Sequence, residues 1–359
     1  MYTMKTFRKT ICVTLALMML LSICAVPAFA KTQKKTYKTL TVIGDSVATG
    51  FCIFEPDGTQ VGHATHGRRI VGAYPDLLCK ELGLKDYNNY TREGMSSIEF
   101  RRLFDKDYLP NAEDKVISDS LIEKYGEGWD WWESAQNQVR GDLKKSDLVI
   151  VNFGSNDIFA YAMRRVYAAM DGSYTTNLDA TKRAALKRMD KQVTKLLAQG
   201  NIYEAWETVF KTAEKLDILE ATVSVLNKCI YDGAVHFCQN WDPILDEIHA
   251  ANPKAKVLAV GLFNGLQGLY LTNDLKVLDL GKLILGPAVD VMNSHIKAYN
   301  AVHGYYTVVD IRDVDTPAWP GALALMKDFD NLSWHLMVNT HPSNAGHVYI
   351  KDQILKALK

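Results

Sequence analysis

Val42-Ile43-Gly44-Asp45-Ser46-Val47-Ala48-Thr49-Gly50 is the most informative stretch of this chain, because an apolar run ends abruptly there in Gly-Asp-Ser. Residues 39–43 predict a first β-strand, and Ser46 then lies in the turn between that strand and a helix. A side chain at such a turn is presented at the edge of a sheet. The stretch therefore predicts both the start of the fold and a reactive position.

Further apolar runs predict four more strands, at residues 87–90, 147–153, 256–262 and 306–311. Helices are expected between them. Their predicted places are a segment from residue 74 with a proline near its start, a segment opened by Asp242-Pro243 that stops before Asn252-Pro253, residues 289–303, and a final helix capped by Ser343. Strands that alternate with helices imply a parallel sheet covered on both faces. We therefore predict an α/β fold, a three-layer α/β/α sandwich with a parallel five-stranded sheet.

Three more short motifs follow Ser46 in order and at large spacing. They are Arg92-Glu93-Gly94-Met95-Ser96, Gly154-Ser155-Asn156-Asp157 and His341-Pro342. In parallel sheets, binding sites lie beyond the carboxyl ends of the strands. Ser46, Gly94 and Asn156 follow the first three strands, and His341 follows the fifth at some distance. All four are therefore predicted at one edge of the sheet.

This ordered set resembles the SGNH (GDSL-type) hydrolase family of esterases and lipases. Each motif alone is typical of a turn or a helix cap. By the resemblance, Ser46 is the nucleophile and His341 the base that takes its proton. The resemblance also implies three oxyanion donors, which are the backbone N–H groups of Ser46 and Gly94 and the side-chain amide of Asn156. It further implies a flavodoxin-like core.

Two other aspartates in these motifs are predicted to be structural. Asp45 is expected to tie the turn after the first strand, and Asp157 the turn after the third. His347 is predicted to be an ordinary helix residue, because it lacks the proline that follows His341.

The chain departs from the family pattern at the acid of the triad. The family usually has an aspartate three residues before the catalytic histidine, and that position here is Val338. Three interpretations stay open. Ser46 and His341 form a dyad in which a backbone carbonyl holds the ring N–H, or an acid displaced to Asp328 or Asp330 reaches in, or the protein is impaired as a hydrolase.

Two segments are insertions relative to a minimal core. Residues 159–240 are mostly helical in pattern and begin directly after Asn156. They form either a lid or substrate platform, or extra packing and an interaction surface. Residues 105–132 end in Trp129, Trp131 and Trp132, which either contact sugar rings or an acyl chain, or pack in the ordinary way.

The N-terminus has the pattern of a signal peptide over residues 1–30. Lys5, Arg8 and Lys9 give a positive start, an apolar run follows, and Ala28-Phe29-Ala30 has the small-x-small form of a cleavage site. We predict cleavage near Ala30 and secretion to the extracellular space, with no transmembrane segment afterwards. An uncleaved anchor or a lipoprotein is the alternative.

The remainder is predicted to comprise a leader over residues 31–38 and one hydrolase domain over residues 39–359. The chain has 41 basic and 41 acidic residues, and removal of the signal peptide leaves 38 basic residues. The near balance of basic and acidic residues predicts no nucleic-acid partner. No Cys-x-x-Cys or His-Glu-x-x-His string is present, so the sequence predicts no metal site and no other cofactor. Cys229 and Cys238 either close a short disulfide loop or stay as thiols.

These observations predict a secreted serine esterase that hydrolyses small acyl esters on carbohydrate or lipid. The expected partner is a small-molecule, polysaccharide or lipid ester substrate. An acyltransferase that uses the same Ser46 and His341 is one alternative. A non-catalytic ligand-binding relative, suggested by Val338, is the other.

Overall fold

Five strands form one sheet in which every neighbouring pair is parallel. They are β1 (Leu40–Gly44), β2 (Asn88–Thr91), β3 (Leu148–Asn152), β4 (Lys256–Val260) and β7 (Thr307–Val309), and their order across the sheet is β2-β1-β3-β4-β7. This is the flavodoxin-like order, in which the chain crosses over after the second strand. The predicted fold class is confirmed, and each predicted strand is found within two residues of its predicted limits.

The computed structural model describes residues 36–51, 53, 69–124, 128–172, 178–199, 201, 204, 208, 211, 219–267, 270–272, 277–316 and 340–359. Residues 37–358 form one compact unit. In the part of the chain described, no helix is both long enough and apolar enough to cross a membrane. The predicted signal peptide lies outside the described residues.

Helices cover both faces of the sheet. They are α1 (Ser46–Thr49), α2 (Tyr74–Leu82), α3 (Ser97–Phe104), α4 (Ala112–Lys124), α5 (Gly128–Lys145), α6 (Ser155–Ile158), α7 (Ala160–Asp171), α8 (Ala180–Ala198), α9 (Leu219–Ala251), α10 (Leu280–Ile284), α11 (Gly286–His303) and α12 (Asn344–Ala357). A short antiparallel hairpin, β5 (Tyr270–Thr272) with β6 (Val277–Asp279), was not anticipated from the sequence.

Alternate residues of the central strands enter two separate hydrophobic cores. Val149 and Val151 of β3 pack with side chains of α3, α5, α9 and α11. Leu148 and Ile150 of the same strand pack with side chains of α2 and α12 on the other face. Because successive side chains of a strand point to opposite faces, one run of apolar residues serves both cores. The three-layer arrangement follows directly.

The prediction that a helix begins at Asp242-Pro243 is wrong. Helix α9 runs without interruption through Pro243 and ends at Ala251, before Asn252-Pro253 as expected. A proline inside a helix removes one hydrogen bond. The buried face nevertheless continues through it at helical spacing, formed by Phe237, Trp241, Ile244, Leu245 and Ile248. Burial of this face on both sides of Pro243 keeps the helix continuous.

The inserted helices contribute to the core of the protein. Tyr161 and Arg165 of α7 are fully buried, and α9 continues past residue 240 into the main core. Trp132 is buried, and Trp131 lies beneath the Arg92 guanidinium, whose carbon is 3.4 Å from the ring centroid. Of the interpretations left open for the two insertions, the structure therefore supports ordinary packing at these residues. The side chain of Trp129 lies outside the description.

Cys229 and Cys238 are free thiols, as is the buried Cys79. Both belong to the single helix α9. Nine residues along a helix separate the two by about 13 Å. A disulfide requires Cα atoms within about 7 Å of each other. Of the two interpretations left open by the sequence, the structure therefore supports free thiols.

Candidate active site

The turn that carries Ser46 depends on a glycine at the end of β1. A Cβ at Gly44 would lie 2.5 Å from the Cβ of Ala48 and 2.7 Å from the backbone oxygen of Asn152. Asp45 donates its N–H to that same oxygen at 3.1 Å, and its carboxylate accepts from Val47 N at 3.0 Å. The predicted structural role of Asp45 is confirmed, because it caps α1 and ties β1 to the end of β3.

Ser46 and His341 meet although 295 residues separate them in the chain. His341 Nε2 lies 2.9 Å from Ser46 Oγ, which is hydrogen-bond distance. The Phe51 ring meets the imidazole edge to face, with centroids 4.8 Å apart. Burial lowers the pKa of His341 to about 4. The ring is therefore neutral at pH 7 and able to accept a proton.

The chain on each side of His341 is held in place. Ser343 N–H donates to the backbone oxygen of Asp315 at 3.0 Å, and Ser343 Oγ accepts from Gly346 N at 3.0 Å at the start of α12. On the other side, a Cβ at Gly265 would come within 2.5 Å of the backbone oxygen of Thr340. Close packing at Gly265 and the α12 cap thus fix the two neighbours of His341-Pro342.

Gly94 lies beyond the carboxyl end of β2, next to the turn that carries Ser46. The N–H of Arg92 donates to the backbone oxygen of Gly44 at 3.0 Å, which extends the pairing of β2 with β1. Gly94 has a φ of 74°, in the left-handed region that glycine adopts most readily. Its place at the sheet edge agrees with the prediction from the motif.

Asn156 is the second residue of α6 and is only 7% exposed. Its Nδ2 donates to the backbone oxygen of Met95 at 2.9 Å. A carbonyl oxygen only accepts hydrogen bonds, so this contact fixes which amide atom is the nitrogen. One amide hydrogen is engaged by Met95, the residue after Gly94.

Asp157 joins the Asn156 turn to the segment that follows Gly94. Its carboxylate accepts from Ser97 N at 2.9 Å and from Ser97 Oγ at 2.5 Å. Burial raises the pKa of Asp157 to about 8. The predicted structural role of this aspartate is confirmed, although its partner was not foreseen from the sequence.

A second carboxylate holds the same segment. Glu99 accepts from Ser96 N at 2.8 Å and from Ser96 Oγ at 2.9 Å, and Ser96 Oγ in turn accepts from Ile98 N. This is a capping box at the start of α3. The spacing Ser96-x-x-Glu99 is readable in the sequence and would have identified it.

The remaining sequence-predicted residues fall into two groups. His347 is buried in α12, where its Nδ1 accepts from Tyr74 N at 3.3 Å, as expected for a packed helix residue. Asp328, Asp330 and Val338 lie outside the described residues, so what orients His341 stays a prediction. Among the residues described, no group of three or more His, Cys, Asp or Glu side chains is arranged to hold a metal ion.

Residues 42–349 match the model of the GDSL-like Lipase/Acylhydrolase family. Two similar solved structures are phospholipase A1 from Streptomyces albidoflavus NA297 and an extracellular lipase from Streptomyces rimosus. Each is 14% identical with a TM-score of 0.46, over 89% of this chain and 99% of theirs. A carbohydrate esterase family 3 structure from Talaromyces cellulolyticus is 10% identical with a TM-score of 0.37, over 88% of this chain and 94% of its own. No curated protein sequence matches.

Proposed function

The chain belongs to the GDSL-like lipase/acylhydrolase family, and from this premise we propose that it is a secreted serine esterase acting through an acyl-enzyme on Ser46. It is a carboxylic ester hydrolase. The proposal assigns small acyl esters on carbohydrate or lipid as substrates. The single observation that carries it is the 2.9 Å contact between Ser46 Oγ and His341 Nε2.

The first half of the proposed reaction forms the acyl-enzyme. His341 Nε2 takes the hydroxyl proton as Ser46 Oγ attacks the ester carbonyl. The new bond from Oγ to carbon places the negative charge on the former carbonyl oxygen. As the intermediate collapses, the protonated His341 gives its proton to the leaving alcohol. The low pKa of His341 keeps the ring in the base form at the start of the reaction.

Stabilisation of the oxyanion is assigned to three donors. They are the backbone N–H groups of Ser46 and Gly94 and the amide of Asn156. Support for Asn156 comes from its contact with Met95, which sets the orientation of the amide before substrate arrives. Donors already in place do not need to reorganise as charge develops, which makes them effective catalysts.

The second half of the reaction releases the acid. A water molecule gives one proton to His341 Nε2 and attacks the acyl carbon, and the bond from the carbon to Ser46 Oγ then breaks. His341 returns the proton to Ser46. If an alcohol replaces the water, the product is a new ester, so added acceptor alcohols and product analysis separate a hydrolase from an acyltransferase.

The test is a comparison of Ser46→Ala with Ser146→Ala. Ser146 is also buried, but it precedes β3 at the opposite edge of the sheet and bonds to Thr41 Oγ. Both purified variants are assayed with p-nitrophenyl acetate and a fluorophosphonate probe. We expect Ser46→Ala to lose at least about 10³-fold in kcat and all labelling, and Ser146→Ala to keep both.

Peptide mapping of the labelled wild-type protein should place the probe on Ser46. More than one tenth of wild-type activity in Ser46→Ala, or label on another residue, would contradict the proposal. Acetylated polysaccharide and phospholipid, supplied in parallel, separate the two substrate classes. N-terminal sequencing of exported protein should begin near Lys31 if the signal peptide is cleaved as proposed.

A further inference from the structure

Helix α9 touches the turn that carries Asn156 with no side chain between them. A Cβ at Gly233 would overlap the backbone oxygen of Asp157, and would come within 2.7 Å of the Asp157 carbonyl carbon and 3.3 Å of Ile158 N. Only a glycine allows this approach. The backbone of α9 therefore contacts α6 directly, immediately after Asn156.

One helical turn later, α9 contacts the other side of the same turn. Gly154 has a φ of 129°, and a Cβ there would lie 2.6 Å from Cε2 of Phe237. Phe237 is fully buried in the larger core. Asn156 thus lies between two residues, Gly154 and Asp157, that both pack against α9.

A third contact of α9 is with the segment that follows Gly94, another of the proposed oxyanion donors. Asn240 Nδ2 donates to Ser97 Oγ at 3.2 Å, and Ser97 Oγ donates to Asp157 Oδ1 at 2.5 Å. Asn240 is only 4% exposed. Ser97 follows Gly94 by three residues, so this pair of hydrogen bonds links the Gly94 segment and the Asn156 turn to the same helix.

Gly233, Phe237 and Asn240 share one side of α9, because residues four and seven apart in a helix lie on the same face. We propose that this α9 contact face positions the oxyanion hole, by fixing the Asn156 amide relative to Gly94. The inference rests on the proposed function, which assigns Asn156 as an oxyanion donor. Its three residues belong to none of the sequence motifs that identify the site.

These are positioning residues, since Asn240 acts on the reacting atoms only through Ser97 and Asp157. Oxyanion donors must be held within about 0.5 Å of their productive positions. A misplacement of about 1 Å can cost as much as 10²-fold in rate. Loss of one hydrogen bond in the link is expected to displace the donor by less than that. The effect should appear in kcat and leave KM unchanged, because the oxyanion forms only after binding.

The decisive experiment is a double-mutant cycle between Asn240→Ala and Asn156→Ala, measured as kcat for p-nitrophenyl acetate. Alone, Asn240→Ala should lower kcat by about 10-fold with KM unchanged. In the Asn156→Ala background, where the positioned donor is absent, the same change should lower kcat by less than about 2-fold. Two independent sites would instead give additive effects. Additivity, or an unchanged kcat in Asn240→Ala, overturns the inference.

Asn252→Ala is the matched control for a purely structural asparagine. Its amide donates to the backbone oxygens of Ser146 at 2.9 Å and Leu143 at 3.1 Å, at the opposite edge of the sheet. We expect a lower melting temperature with kcat unchanged and no coupling to Asn156→Ala. A coupling as large as that of Asn240→Ala would mean that general loosening is responsible, and would overturn the inference.

Gly233→Ala tests the direct backbone contact, with Gly141→Ala as its control because a Cβ at Gly141 meets nothing within 4 Å. Gly233→Ala should lower kcat at least as much as Asn240→Ala, and if it does not fold, the Asn240 cycle decides. The two proposals fail differently. If Asn156→Ala leaves kcat unchanged, Asn156 is not an oxyanion donor and this inference falls, whereas the proposed function is still decided by Ser46→Ala. A slow Asn156→Ala with additive Asn240→Ala removes only this inference.

Discussion

The two sides of the candidate site are held in different ways. The Gly94 and Asn156 segments follow β2 and β3, the two strands that flank β1. The buried Asp157 side chain joins the two segments through Ser97, and the Glu99 side chain binds Ser96 within the Gly94 segment. His341 comes from a distant part of the chain and meets Ser46 through one hydrogen bond. The donor side is thus an extension of the core. The base side depends on the cap of α12 and on the close packing at Gly265.

The largest effect is expected from a substitution on the base side alone. His341→Gln removes the proton acceptor, and kcat for p-nitrophenyl acetate should fall by about 10⁴-fold or more, since serine and histidine act as a unit. The Gly94 and Asn156 donors should stay in place, because the contacts described above for these two residues do not involve His341. A melting curve checks the fold. Residual activity above one tenth of wild type would show that another group serves as the base.

The next largest effect is expected from a substitution on the donor side alone. Asn156→Ala should lower kcat by about 10²–10³-fold with little change in KM, as for the loss of one oxyanion donor. Steady-state kinetics on the same ester measures both constants. Asn156→Asp is a useful companion, because it keeps the shape but puts an acceptor where a donor is needed. A change confined to KM would make Asn156 a substrate-binding residue.

The group that orients His341 is the subject of a third prediction, which sharpens the contrast between the two sides. If a displaced acid is present, either Asp328→Asn or Asp330→Asn should lower kcat by at least about 10²-fold. If a backbone carbonyl holds the ring, neither change matters, and Val338→Asp should raise kcat by restoring the usual partner. Equal, small losses in all three variants would contradict both arrangements.

The pH profile is a milder probe of the base side. Burial lowers the pKa of His341 to about 4, so the imidazole stays neutral, and kcat/KM should fall only as the pH drops through about 4. An ordinary histidine would lose activity near pH 6.5. A carboxylate against the ring would raise the pKa, so an acid limb above pH 6.5 would indicate a triad. The profile is measured with p-nitrophenyl acetate between pH 3.5 and 9.

The smallest expected effect concerns the cap behind His341. Ser343→Ala removes the acceptor of the Gly346 N–H at the start of α12. The free energy of unfolding should fall by about 1 kcal/mol, which urea titration measures. kcat should change far less than in His341→Gln. A loss of rate as large as in that variant would mean that the cap, and not the packing at Gly265, sets the position of the base.

Local patterns in the sequence predict most of the sheet and the strand ends that carry the site. The runs that end at Gly44 and Asn152 are apolar because β1 and β3 are buried on both faces. The motifs of the site directly follow the ends of these runs. The contact of Asn240 with Ser97 was not predictable, since 143 residues separate the two and neither stands in a recognisable pattern. The helix through Pro243 was missed because a proline usually marks a boundary, and only tertiary packing overrides that preference.

The separation of 295 residues between Ser46 and His341 has a consequence for how the protein is made. Synthesis delivers β1, β2 and β3, with the serine and both donor segments, long before the histidine. A domain generally folds as a unit, so the site is not complete until the whole domain has been made. A ribosome-bound chain therefore holds a serine without its base, and an ester in its surroundings meets no active nucleophile. The serine becomes an active nucleophile only late, when α12 packs against α2 and His341 reaches Ser46.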